Sequence, residues 1–130
     1  CLVEWKNIND KKIGFLYKYY ESKDYKAHII KNKNLIEKIE KVFFIPTKYS
    51  TYENYFDNFL SIKNRVNKVN FLKKEYKKIN IEVIDLTKEL QNESIKQIKN
   101  NKFTYFQDDT HLNELGNRII TNYILKTLVE

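Results

Sequence analysis

Val42-Phe43-Phe44-Ile45-Pro46 and Ile81-Glu82-Val83-Ile84-Asp85-Leu86 are the stretches whose reading decides the fold class. The first is an unbroken apolar run closed by the chain's only proline. That is the pattern of a strand buried in a parallel sheet. The second also reads as a strand. Between them, Tyr52, Tyr55, Phe56, Phe59 and Leu60 recur at helical spacing and predict a helix over about Glu53 to Lys63. Val66, Val69, Leu72, Tyr76 and Ile79 share one face of a further helix that ends at Lys77-Lys78, where cations suit the helix dipole. Strand, helical crossover, strand is a βαβ unit, so the two strands are expected to be parallel and the connection right-handed.

Working outward, Cys1 to Trp5 reads as the end of a strand or a loop. Ile13, Leu16, Tyr17 and Tyr20 predict a helix over about Lys11 to Tyr20. Glu21-Ser22-Lys23-Asp24 is a break, and Asp24 is placed to cap a segment carrying His28, Ile29, Ile30, Leu35, Ile36 and Ile39. His28, alone in a Lys-rich helix, reads as structural. Pro46 to Tyr52 is expected to be a loop at the carboxyl end of the first strand, the end at which ligands bind in open α/β sheets. On the far side, Thr87 is expected to cap a helix over Lys88 to Lys99 with Leu90, Ile95 and Ile98 inward, stopped by Asn100-Asn101. Asn113 is expected to cap the last helix, whose face is Leu115, Ile119, Ile120, Tyr123, Ile124 and Leu128. Gly116 in its first turn is unfavourable for a helix, which implies close approach to a neighbouring backbone. The expected architecture is a single α/β domain over residues 1–130, with helices on both faces of a small parallel sheet in three layers.

Composition narrows the function classes. At 130 residues with 42% hydrophobic content the chain is globular and one domain at most. No apolar run approaches the roughly 18 residues of a membrane span. The net charge of +7 is almost all lysine, spread along every predicted helix, with Arg65 and Arg118 the only arginines. Arginine forks onto phosphates and guanine edges, so the charge argues only weakly for nucleic acid. One cysteine allows neither an internal disulfide nor a Cys-based zinc site. The chain opens on Cys1 and not Met, which reads as a fragment or a processed product.

One stretch reads as chemistry: Tyr105-Phe106-Gln107-Asp108-Asp109-Thr110-His111-Leu112-Asn113-Glu114-Leu115-Gly116. A carboxylate accepting from one imidazole nitrogen fixes the tautomer and leaves the other nitrogen as a general base. Asp108 and Asp109 both stand at workable spacing before His111. The bland alternative is an Asp-rich cap before a helix.

The stretch resembles the C-terminal block of SGNH (GDSL-type) hydrolases and of the related alginate-type O-acetyltransferases. There Asp and His occur as D-x-x-H or D-x-H, followed by Asn and Gly before the last helix. His111, Asn113 and Gly116 match; Asp108 fits the first spacing and Asp109 the second, which is preferred. Phe44-Ile45-Pro46-Thr47-Lys48 with Tyr52 is similar to the I-P-x-K-x-x-x-Y segment of acetyltransferase-like members. The resemblance covers roughly the C-terminal two-thirds and implies an SGNH/flavodoxin-like fold, present here in part. It implies His111 as base, Asp109 or Asp108 as its orienter, and Lys48, Tyr52 and Asn113 as pocket or loop-holding residues. The substrate would be a small-molecule or polysaccharide ester at the cell envelope, handled with no metal and no cofactor. The family's Gly-Asp-Ser block is not in this sequence, whose glycines are Gly14 and Gly116, so the nucleophile is expected elsewhere in a longer chain. Ser50 lacks that context. Two rivals stand beside this reading: a non-catalytic carbohydrate-binding or interaction module using Lys48, Tyr49 and Tyr52, and a basic nucleic-acid-binding domain.

Overall fold

The computed structural model describes residues 2–17, 30–56 and 68–129. The chain is mixed α/β and divides into two compact units, each built from separated segments. The unit of Tyr20–Phe44 and Ile62–Asp85 holds the strands that set the fold class. There β3 (Lys41–Phe44) pairs with β4 (Glu82–Asp85), parallel as expected, with Val42 opposite Val83 and Phe43 opposite Ile84. All four β3 residues are half-buried, where a strand covered on both faces was expected. Helix α3 (Lys68–Lys77) turns Tyr76 and Leu72 onto a core of Ile81 and Val83, joined by Ile30, Ile36, Ile39, Val42, Phe44 and Ile79. Of the apolar set assigned to the segment after Asp24, a short helix α1 (Lys33–Ile36) forms, capped by Asn32, and Leu35 is exposed. His28 and Asp24 lie outside the described residues.

The other unit comprises Cys1–Tyr19, Ile45–Ser61 and Leu86–Glu130. Here the helix expected over Lys11 to Tyr20 is overturned. Lys11–Tyr17 is strand β2, antiparallel to β1 (Leu2–Ile8), with Trp5 opposite Gly14. The turn is Asn9-Asp10, both with positive φ (48° and 66°), as a two-residue hairpin turn of matched twist requires. Ile13 and Phe15 are buried on alternate positions of the strand. The expected loop after Pro46 is instead a short helix, α2 (Lys48–Tyr52), whose cap Thr47 accepts from the Ser50 amide. Glu53 closes α2, so no helix starts there, and 57–63 lie outside the described residues.

Helix α4 (Thr87–Lys99) buries Leu90, Ser94 and Ile98. Thr87 is its first helical residue; the cap position is Leu86, which has no capping side chain, so Thr87 is not the cap. Helix α5 (Glu114–Val129) is capped by Asn113, whose Oδ1 accepts from Gly116 N at 2.9 Å. Ile120 and Gly116 are buried in α5, whereas Leu128, expected inward, is 58% exposed. Among the described residues the sheets are two, each two-stranded.

Candidate functional site

Residues 103–113 form a closed loop between α4 and α5. Its neck is made by Tyr105 bridging Leu112 and by Phe106 N donating to His111 O at 3.1 Å. Asn113 ties the neck to the helix: its Nδ2 donates to Phe103 O (2.6 Å) and Tyr105 O (3.3 Å), and its amide donates to Thr104 O (3.1 Å). Both polar ends of the Asn113 side chain are thus engaged. Gly116 has the reason expected of it, because a Cβ built there would lie 2.0 Å from Thr104 O.

The loop tip carries the acid and the base. Asp109 Oδ1 accepts from the His111 amide at 2.9 Å and also meets the ring Nδ1 in a short hydrogen bond. Those hydrogen bonds, the backbone one first, hold the Asp109 carboxyl below its ordinary pKa. With Nδ1–H donating to the carboxylate, Nε2 carries the basic lone pair. The imidazole is 79% exposed and, among the described residues, nothing bonds Nε2. Asp109, the preferred of the two acids, is the one that reaches the ring; Asp108 is exposed beside it.

Lys48 and Tyr52 come to this loop from inside. Lys48 is 3% exposed, and its Nζ donates to Phe106 O (2.6 Å), Gln107 O (3.1 Å) and Asp109 O (2.9 Å). Burial lowers its pKa from 10.5 to about 8, against the upward pull of Asp108 and Asp109. Tyr52 is fully buried; its hydroxyl accepts from Thr104 N and lies 3.1 Å from Thr104 Oγ1, which in turn is 2.5 Å from Ser94 Oγ. Burial raises the Tyr52 pKa and pushes Tyr105 up to about 12. Tyr105 OH donates to Pro46 O at 2.7 Å and lies 3.0 Å from Thr51 Oγ1. Of the two roles left open for Lys48 and Tyr52, holding the loop is the one their contacts serve. Ser50 pairs its hydroxyl with Thr47.

Strand β2 supplies the remaining clamp: Gly14 N donates to Gln107 O (2.6 Å), and Gln107 Nε2 donates to Lys12 O (2.9 Å). Beside the loop lies an open cleft of about 640 Å³, lined among others by Lys11, Lys102, Phe103, Phe106, Asn113 and Arg118. Phe106 is 51% exposed there. Sequence reading missed Ser94, Thr104 and the cleft cations; the available signal was polar Ser94 inside the apolar stripe of α4. Among the described residues no cluster of His, Cys, Asp and Glu could hold a metal ion, and no helix is long and apolar enough to cross a membrane. No family model, curated protein or solved structure matches the chain.

Proposed function

We propose that Asp109 and His111 are the acid–base half of a serine-dependent esterase or O-acyltransferase of the SGNH type. In this reading the chain is the C-terminal part of a three-layer α/β domain at the cell envelope, and the nucleophilic serine comes from elsewhere in the full gene product. The observation that carries the proposal is the double grip of Asp109 Oδ1 on the amide and ring of His111, which presents Nε2 outward on an exposed loop tip. Nε2 takes the proton of the serine hydroxyl as its oxygen attacks the acyl carbonyl. The imidazolium formed, stabilised by Asp109, then protonates the departing alcohol. Water or an acceptor hydroxyl reverses the sequence on the acyl-serine. The substrate class is an acetyl or similar ester, on a carbohydrate, with the cleft beside the loop as the place for its non-reacting part.

The test uses the full gene product and an acetyl ester. His111→Ala is expected to lower kcat by about 10³-fold or more, since members of such a unit fail together. Asp109→Asn is expected to lose a large part of the rate as well, through the wrong tautomer. Turnover unchanged in His111→Ala would remove the base assignment.

A further inference from the structure

An ammonium has three N–H groups, and at Lys48 each meets a backbone carbonyl of the Asp-His loop: Phe106, Gln107 and Asp109. A neutral amine has two. The Asp109 carbonyl belongs to the residue whose carboxylate grips His111, and the neck bond from Phe106 N to His111 O transmits the position of Phe106 to the same histidine. The loop itself is exposed from Phe106 to His111, so little apolar packing holds its tip. Strand β2 clamps it at Gln107, and the Lys48 nitrogen joins that point to the carbonyls of Phe106 and Asp109.

We propose that Lys48 is the positioning residue of the Asp109–His111 pair, and that its proton is the switch. As an ammonium it holds the loop in the form in which Asp109 reaches the ring. Loss of one proton frees one carbonyl and disengages the pair. The charges acting on Nζ among the described residues are Asp108 and Asp109, both on the loop. Strand β2 presents the Phe15 ring, 5.4 Å away; from α4 the neutral Gln91 donates to Ser50 O, while the carboxylates Glu89 and Glu93 of that helix act on Tyr123. Burial brings the Lys48 proton within reach of mildly alkaline buffer, at about pH 8. The inference rests on the proposed function only in calling the pair a working one.

The test therefore reads geometry and not turnover. The 130-residue chain is labelled with ¹⁵N at histidine and lysine, with His28→Gln to leave His111 as the single imidazole. Long-range proton–nitrogen spectra are expected to show the Nδ1–H tautomer dominant at pH 7.5. That dominance should fall by half or more above pH 9, with the midpoint of the Lys48 Nζ resonance. In Lys48→Met the Nε2–H tautomer, usual for a free imidazole, is expected to dominate throughout. Tyr105→Phe, which removes a buried hydroxyl bond nearby, serves as a destabilised control and should leave the tautomer as in wild type. A folded Lys48→Met with the wild-type His111 spectrum overturns the proposal. Should that variant fail to fold, the wild-type titration decides: a His111 tautomer indifferent to the Lys48 midpoint overturns it equally. Loss of activity in His111→Ala answers a separate question, so the two ideas fail separately.

Discussion

Gly116 sets two opposing local effects against each other. Alanine is favoured over glycine inside a helix by about 1 kcal/mol. Here the added methyl would sit 2.0 Å from the Thr104 carbonyl oxygen and 3.0 Å from its carbon, and neither can swing away as a side chain would. That same oxygen accepts the Asn113 amide that closes the loop neck. The clash wins, so Gly116→Ala is expected to destabilise by about 2 kcal/mol or more, read as a lower urea midpoint at unchanged slope. A raised midpoint would mean that the helix and the loop do not meet closely. The glycine's purpose was legible, since an unfavourable residue in a first helical turn asks for a tight contact. The burial of Lys48 was not. Nothing local in Pro46-Thr47-Lys48 announces that a side chain 58 residues earlier than Phe106 will satisfy that residue's carbonyl.

Asparagine in the left-handed region terminates both long helices that precede a core segment. After α3, Asn80 (φ 59°) donates to Lys77 O and Ile81 N donates to Tyr76 O, which brings Ile81 and Tyr76 into one core. After α4, Asn101 (φ 56°) donates to Ile98 O and Lys102 N donates to Gln97 O. This paired pattern satisfies carbonyls that a helix end otherwise leaves open. Left-handed backbone costs a residue with a Cβ about 1–2 kcal/mol, less for Asn, and glycine, which has no Cβ, escapes it. Asn80→Ala and Asn101→Ala are each expected to cost about 1 kcal/mol, whereas the glycine variants should match or exceed wild type in thermal midpoint. Equal midpoints for Ala and Gly would sink the assignment. Asn100-Asn101 was readable as a stop because asparagine tolerates this conformation. The β1–β2 hairpin was misread because Ile13, Leu16, Tyr17 and Tyr20 happen to fall at helical spacing. The competing period of two in Ile13 and Phe15, after an Asn9-Asp10 turn, is the one that burial selected. Likewise Ser94 and Thr104 are buried because they bond each other, a pairing that hydrophobic periodicity does not register.

Over the whole molecule the buried titratable groups shape stability against pH, with opposite signs on the two sides of about pH 10. Lys48 titrates at about 8 in the fold and at 10.5 when exposed. Across that interval the unfolded chain holds a proton that the folded chain has lost, so stability from this group rises with pH. Tyr105 titrates at about 12 in the fold against 10.0 when exposed, and Tyr52 is raised as well. Above pH 10 the unfolded chain sheds protons that the folded chain keeps, so stability falls. On the acid side, the lowered Asp109 contributes stability that is present above 3.8 and lost as pH falls through its folded value. Urea titrations at fixed ionic strength are therefore expected to show a rise from about pH 8 toward 10 and a steep fall beyond. Lys48→Met should abolish the rise, and Tyr105→Phe should soften the fall. The global curve and the Asp109–His111 alignment then move in opposite directions between pH 8 and 10. Relief of a buried charge strengthens the fold while the missing hydrogen-bond donor loosens the loop. A urea midpoint that declines across this interval in wild type, in parallel with Lys48→Met, would show that the Lys48 ammonium is not held in a desolvated place, and the carbonyl cradle would lose its role as a switch.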